Sequence, residues 1–323
     1  MKIRFDKPEI AAAAADQGKR RTLTAEIWIF IGVFLIGSLL AGIIPSVYDI
    51  YVMFSDEDTF DALSEIMLNS QNVFSDMMDF VLHMSDAMYV LTLLCTIIVI
   101  LTAVIYCTRI EHRSMYSMGF VKDKAFRHYG AGILVGLMSF SLCFLLGVIT
   151  GVLHVQGINK ECNPLIVLLY IIGFMIQGMS EEVMFRGYFM VSIMKKNSLA
   201  KAVFINSFAF ALCHILNPGL SVLAFINLML IGIFLSMYVI YTNDIWGAAA
   251  YHFMWNFAQG TLYGVSVSGT SVSGAILQTA TDDKPAILSG GAFGMEGSIF
   301  TTVIMGLALI GMVVINQKKR RAD

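Results

Sequence analysis

Eight apolar runs constrain this chain more than any other feature. They cover approximately residues 25–44, 88–108, 129–154, 165–190, 199–216, 220–241, 245–263 and 298–315. Each is near the roughly 20 residues that cross a hydrocarbon core as a helix. Inside a bilayer the backbone must satisfy its own hydrogen bonds, which leaves helices and closed barrels. Runs this long and this uniformly apolar predict an all-α, polytopic membrane protein with about eight transmembrane helices. The charge content agrees. Only 14% of the 323 residues are charged, where a soluble domain carries about a quarter. No basic stripe with interleaved aromatics is present, so no nucleic-acid partner is expected. Of the five cysteines, Cys95, Cys107, Cys143 and Cys213 fall in apolar runs and read as small buried hydrophobes, while Cys162 lies in a connection.

Charge fixes the expected orientation. Of the 21 Lys and Arg, Lys160 and Lys284 lie in outer connections and Arg186 lies within a span; the other 18 fall on one side. By the positive-inside rule that side is cytoplasmic, which places both termini inside. No short apolar segment with a cleavage site precedes the first run, so it reads as a retained helix.

Four regions follow. Residues 1–21 form a polar cytoplasmic tail. Residues 22–164 hold three helices and an outer connection with nine acidic residues and no Lys or Arg between Pro45 and Thr108. Within it Phe60, Leu63, Ile66, Met67, Phe74, Met77 and Val81 recur at roughly helical spacing, which fits an interfacial helix or an extension of the second span, with a solvated acidic connector as the alternative. Residues 165–265 carry the polar residues of interest. Residues 266–323 hold a Gly/Ser-rich outer segment, read as a flexible loop, and the last helix. The basic segment 109–128 suits contact with anionic lipid.

The chemistry concentrates in Ser180-Glu181-Glu182-Val-Met-Phe-Arg186. Ionisable groups at membrane depth are costly and persist when paired or when they face a polar cavity. On an α-helix four residues return to within about 40° of the starting face and five overshoot to about 140°. Glu182 therefore pairs with Arg186, and Glu181 is left free. Further on, Phe210-x-x-x-His214 and His252-x-x-x-Asn256 each place two residues on one stripe. His252 and Asn256 offer two donors for a developing oxyanion, and a glutamate beside a histidine can activate water. Taken singly, an intramembrane His or Asn is more often a helix-to-helix hydrogen bonder than a catalyst, and a lone Glu–Arg pair is more often structural. His83, His112, His128 and His154 lie in or beside loops and carry no assignment.

The three motifs, in this order on successive segments and with no position departing, resemble those of the CPBP family, the CAAX-protease and bacteriocin-processing membrane proteins also called type II CAAX prenyl endopeptidases. The resemblance covers about residues 165–259. It implies a glutamate-type intramembrane endopeptidase without a cofactor, acting on a peptide or membrane-protein substrate. It implies Glu181 as general base, His214 as its helper, His252 and Asn256 at the oxyanion, and Glu182 and Arg186 in support. The Gly-Ala-Phe-Gly-Met-Glu-Gly stretch looks like bacterial members, which suggests a multi-pass protein of a bacterial plasma membrane. The alternatives are a non-catalytic membrane scaffold or bacteriocin-immunity protein of the same fold, a zinc metalloprotease using His214, His252 and a glutamate, and a transporter. No His-Glu-x-x-His helix favours zinc, and no evident repeat of spans favours transport.

Overall fold

The computed structural model describes residues 5–70, 72–73, 85–282 and 285–322. Phe74, Met77, Val81, His83 and Lys284 lie outside the described residues. The described residues fold as a helical bundle with one small two-stranded antiparallel sheet. In order, the helices are α1 (Glu9–Gln17), α2 (Leu23–Ser55), α3 (Glu57–Asn69), α4 (Asp86–Ile110), α5 (Ala125–Ile149), α6 (Pro164–Met194), α7 (Leu199–Leu212), α8 (Val222–Thr242), α9 (Trp246–Phe257) and α10 (Ile299–Ala322). Their starts are written in the sequence. Thr22, Asn163, Ser198 and Ser221 each cap the following helix by accepting a backbone N–H, and Pro164 takes the first position of α6, where no N–H is needed.

Among the described residues six helices, rather than eight, are long and apolar enough to cross a membrane: α2, α4, α5, α6, α8 and α10. The two apolar runs that fall short are α7, with 14 residues, and α9, with 12 α-helical residues and a π-turn over Ala258–Leu262. These are the runs that end beside His214 and contain His252. Polar side chains and turns interrupt them where a full span would need apolar helix. Other boundaries also moved. The first helix continues through Pro45, which is tolerated within it, and ends only at Ser55. The third stops at Ile149, and Leu153–Ile158 form strand β1, which pairs antiparallel with β2 (Leu277–Thr281). The acidic connector does contain an amphipathic helix, α3. Cys213 departs from its expectation: it is exposed, just past the end of α7, whereas Cys95, Cys107 and Cys143 are buried.

Two features of packing place the functional residues. First, α5 and α9 approach closely at Gly132 and Gly136. A Cβ on Gly136 would stand 2.6 Å from the Tyr251 carbonyl, and one on Gly132 would stand 2.2 Å from that of Gly247. Small residues at such spacing let membrane helices meet backbone to backbone. Second, α6 widens into a π-helix over Val183–Met190. Such turns disturb the regular i→i+4 ladder and are frequent at functional sites. Buried Arg113, from the segment after α4, meets this turn by donating to the Gly187 carbonyl at 3.0 Å and to Ser192 Oγ at 2.9 Å. All residues from Glu182 to Met194 are buried. Beneath them Lys195 joins Glu26 at 3.0 Å and Glu111 at 2.7 Å, and Glu111 also pairs with Arg21. Burial opposes charge on Glu111, but Lys195 and Arg21 outweigh it and hold that carboxyl below its usual range.

Candidate active site

The π-turn of α6 begins immediately after the twin glutamates, and the two carboxylates part there. Glu182 is fully buried. Its Oε1 accepts from Arg186 Nη1 at 2.8 Å and from His252 Nδ1 at 2.9 Å. The Arg186 guanidinium also lies 4.5 Å from the centre of the Phe210 ring and donates to the Gly232 carbonyl. Glu181 turns the other way and keeps 26% of its side-chain surface. It lines a cavity of about 160 Å³ that His214, His252 and Asn256 also line. The sequence places these four residues on three helical segments, and the fold brings all four to one space.

The arrangement within the cavity differs from the expected pairing. The imidazole nearest Glu181 is that of His252, with Nε2 at 3.7 Å from Oε2. His214 sits in the turn after α7, where its Nδ1 meets the Phe210 carbonyl at 2.8 Å. A carbonyl only accepts, so Nδ1 is the donor in this bond and Nε2 is left to face other partners. This bond also explains the four-residue spacing of Phe210 and His214: the phenylalanine contributes its backbone as well as its ring. Asn256 Nδ2 donates to Gln177 Oε1 at 3.0 Å, and Gln177 Nε2 in turn donates to Glu181. Gln177 thus couples Asn256 to Glu181. It was not singled out in the sequence, although it stands four residues before Glu181 on the same helix face.

The Gly/Ser-rich segment is an ordered wall of the cavity, not the flexible loop expected. Val267, Ser268, Thr270 and Glu296 line it. Buried Glu296 accepts from Trp255 Nε1 at 3.2 Å, from Ser268 N at 2.9 Å and from Ser268 Oγ at 2.6 Å. Asn217 holds the Ser268 carbonyl at 2.9 Å, and Ser268 takes a left-handed φ of 47°. Buried Asn227 of α8 donates to the carbonyls of Glu296 and Ser298 at 2.7 and 2.8 Å. Asp86 accepts from Ser273, from the Gly274 amide and from Tyr170. Glu296 is one acidic residue among glycines, a signal visible in sequence without a partner to explain it. Among the described residues no group of three or more His, Cys, Asp or Glu is arranged to hold a metal ion.

Comparison with known proteins adds the family. Residues 163–258 match the family model described as type II CAAX prenyl endopeptidase Rce1-like. Searches of curated proteins and of solved structures gave no match. The matched residues run from the cap of α6 through Asn256 and so contain Glu181, His214, His252 and Asn256. The chain is thus a multi-pass membrane protein whose residues 163–258 are similar to the Rce1-like type II CAAX prenyl endopeptidases.

Proposed function

We propose that the chain is an intramembrane endopeptidase in which Glu181 activates a water held in the cavity. The observation that carries this reading is the division of the twin carboxylates, one locked to Arg186 and one free beside two imidazoles. Glu181 takes a proton from water, and the resulting hydroxide attacks the scissile carbonyl carbon. In its neutral form His214 orients that water or accepts the proton through Nε2. The tetrahedral oxyanion accepts from Asn256 Nδ2 and from His252 Nε2, which donates in the doubly protonated ring. Imidazolium at His252 also makes the buried set neutral, because Glu181 and Glu182 otherwise face Arg186 alone. The proton taken from water passes to the leaving amine. The catalytic core is residues 165–265, the substrate is a peptide or a membrane-protein segment, and the charge asymmetry of the sequence supports cytoplasmic termini in a bacterial plasma membrane.

The test is Glu181→Gln in purified protein. Turnover per folded molecule should fall by at least ~10²-fold, the lower range for a lost general base, with thermal stability in detergent unchanged. Full activity in this variant would end the assignment.

A further inference from the structure

Gln177 stands between two cavity groups that the hydrolysis uses, and its two ends face them in a fixed order. Its Nε2 donates to Glu181 Oε1, and its Oε1 accepts from Asn256 Nδ2 at 3.0 Å. An ionised carboxylate only accepts, so Gln177 must turn its NH2 group to Glu181 and its oxygen to Asn256. That oxygen also only accepts, so Asn256 must present Nδ2 to it rather than Oδ1. One of the two Nδ2 hydrogens is spent on this bond, and the other is left for a second acceptor. Without such a partner the terminal torsion of an asparagine has two broad wells about half a turn apart. The second well exchanges Nδ2 for Oδ1, an acceptor that cannot hold an oxyanion. At its other end Gln177 occupies Oε1 of Glu181, while the buried Oε2 accepts no hydrogen bond from the described residues. The crossing of α6 and α9 does not depend on the Gln177 amide, because the two backbones meet at the next residue. A Cβ on Gly178 would stand 2.8 Å from the Phe253 backbone nitrogen.

We infer that Gln177 is a positioning residue for the proposed hydrolysis: it turns the Asn256 amide so that Nδ2 meets the oxyanion, and it leaves Glu181 Oε2 as the oxygen that takes the proton from water. This rests on the peptidase reading of the cavity. Gln177 itself touches neither the water nor the oxyanion. A donor already aligned when charge develops costs no reorganisation during the reaction. The order of the three groups holds while Glu181 is ionised, which is the state in which it can act as a base. The clamp is therefore set in the form of the protein that begins the reaction.

A double-variant cycle tests the inference. The probe is an internally quenched fluorogenic peptide, selected from a random-sequence pool because the wild-type protein cuts it and Glu181→Gln does not. Gln177→Leu keeps a similar volume and removes both hydrogen bonds. Gln177→Met does the same with an unbranched side chain, should the leucine variant not fold. Either should lower kcat by ~10–10²-fold, with KM and thermal stability in detergent unchanged. That loss stays below the ~10²–10³-fold of a deleted oxyanion donor, because a released Asn256 amide still visits the right orientation. In an Asn256→Ala background the same substitution should cost at most ~3-fold, since the group it acts on is gone. Wild-type kcat in the Gln177 variants overturns the inference and leaves the peptidase reading standing. A rise in KM alone makes Gln177 a substrate contact and overturns it too. Losses that multiply in the double variant, or failure of both Gln177 variants to fold, make the residue structural and end the positioning role. A pool in which no peptide meets the selection ends the peptidase reading, and this inference with it.

Discussion

Arg186 shows most plainly what single residues decide here. Its side chain is wholly buried, and among the described residues Glu182 is the carboxylate that binds it. Removing one partner of such a pair strands the other charge, at a cost of about 3–5 kcal/mol. Glu182→Gln should therefore lower the melting temperature in detergent sharply and also free the His252 ring. Glu182→Gln combined with Arg186→Met should recover much of the stability while leaving His252 unpinned and turnover low. Melting curves and turnover per folded molecule separate the two effects; a double variant no more stable than the single one would show that the pair is not what the fold depends on. The pairing itself was legible in the spacing of four residues. Gln177 was not, because an amide in an apolar run shows nothing until its two neighbours, Asn256 and Glu181, are seen on either side. Glu296 was likewise visible but unexplained, since its partners Trp255 and Ser268 lie 41 and 28 residues away.

At the scale of elements, the apolar runs gave away nearly every helix but not their lengths. Hydropathy sees the apolar content of 199–216 and 245–263; it does not see that α7 stops at Leu212 and that α9 passes into a π-turn after Phe257. Nor does any residue type announce the π-helix at Val183 or its contact with the Arg113 segment. The close crossing of α5 over α9 is more legible, because Gly132 and Gly136 stand four apart. It yields a prediction about chemistry at a distance. Gly136→Ala must push α9 away from its neighbour, since the new Cβ would lie 2.6 Å from the Tyr251 carbonyl. Overpacking of this kind costs about 1–3 kcal/mol. Tyr251 precedes His252, so the oxyanion donors move with it, and displacement of about 1 Å can cost ~10²-fold in rate. The expected result is a modest fall in melting temperature with a much larger fall in kcat. Unchanged kcat would mean that α9 gives way elsewhere.

For the whole molecule, the short helix α7 has a consequence in the thickness of the bilayer. At 1.5 Å per residue its 14 residues span roughly 21 Å, against a hydrocarbon core of about 30 Å. His214 and the turn at Asn217 therefore lie below the level that the longer helices reach, and lipid around them must thin or leave a wet notch. A hydrolase working at depth depends on that notch for its water. Hydrophobic mismatch then becomes a control on rate. Reconstituted in bilayers of increasing acyl length, the protein should keep its fold, because six long helices can tilt or straighten to suit. Its turnover should fall as thicker hydrocarbon closes over the mouth, and rise again when short-chain lipid is mixed in. A rate indifferent to acyl length would mean that the protein walls the notch unaided. If the rate follows acyl length, the surrounding lipid is part of the water channel.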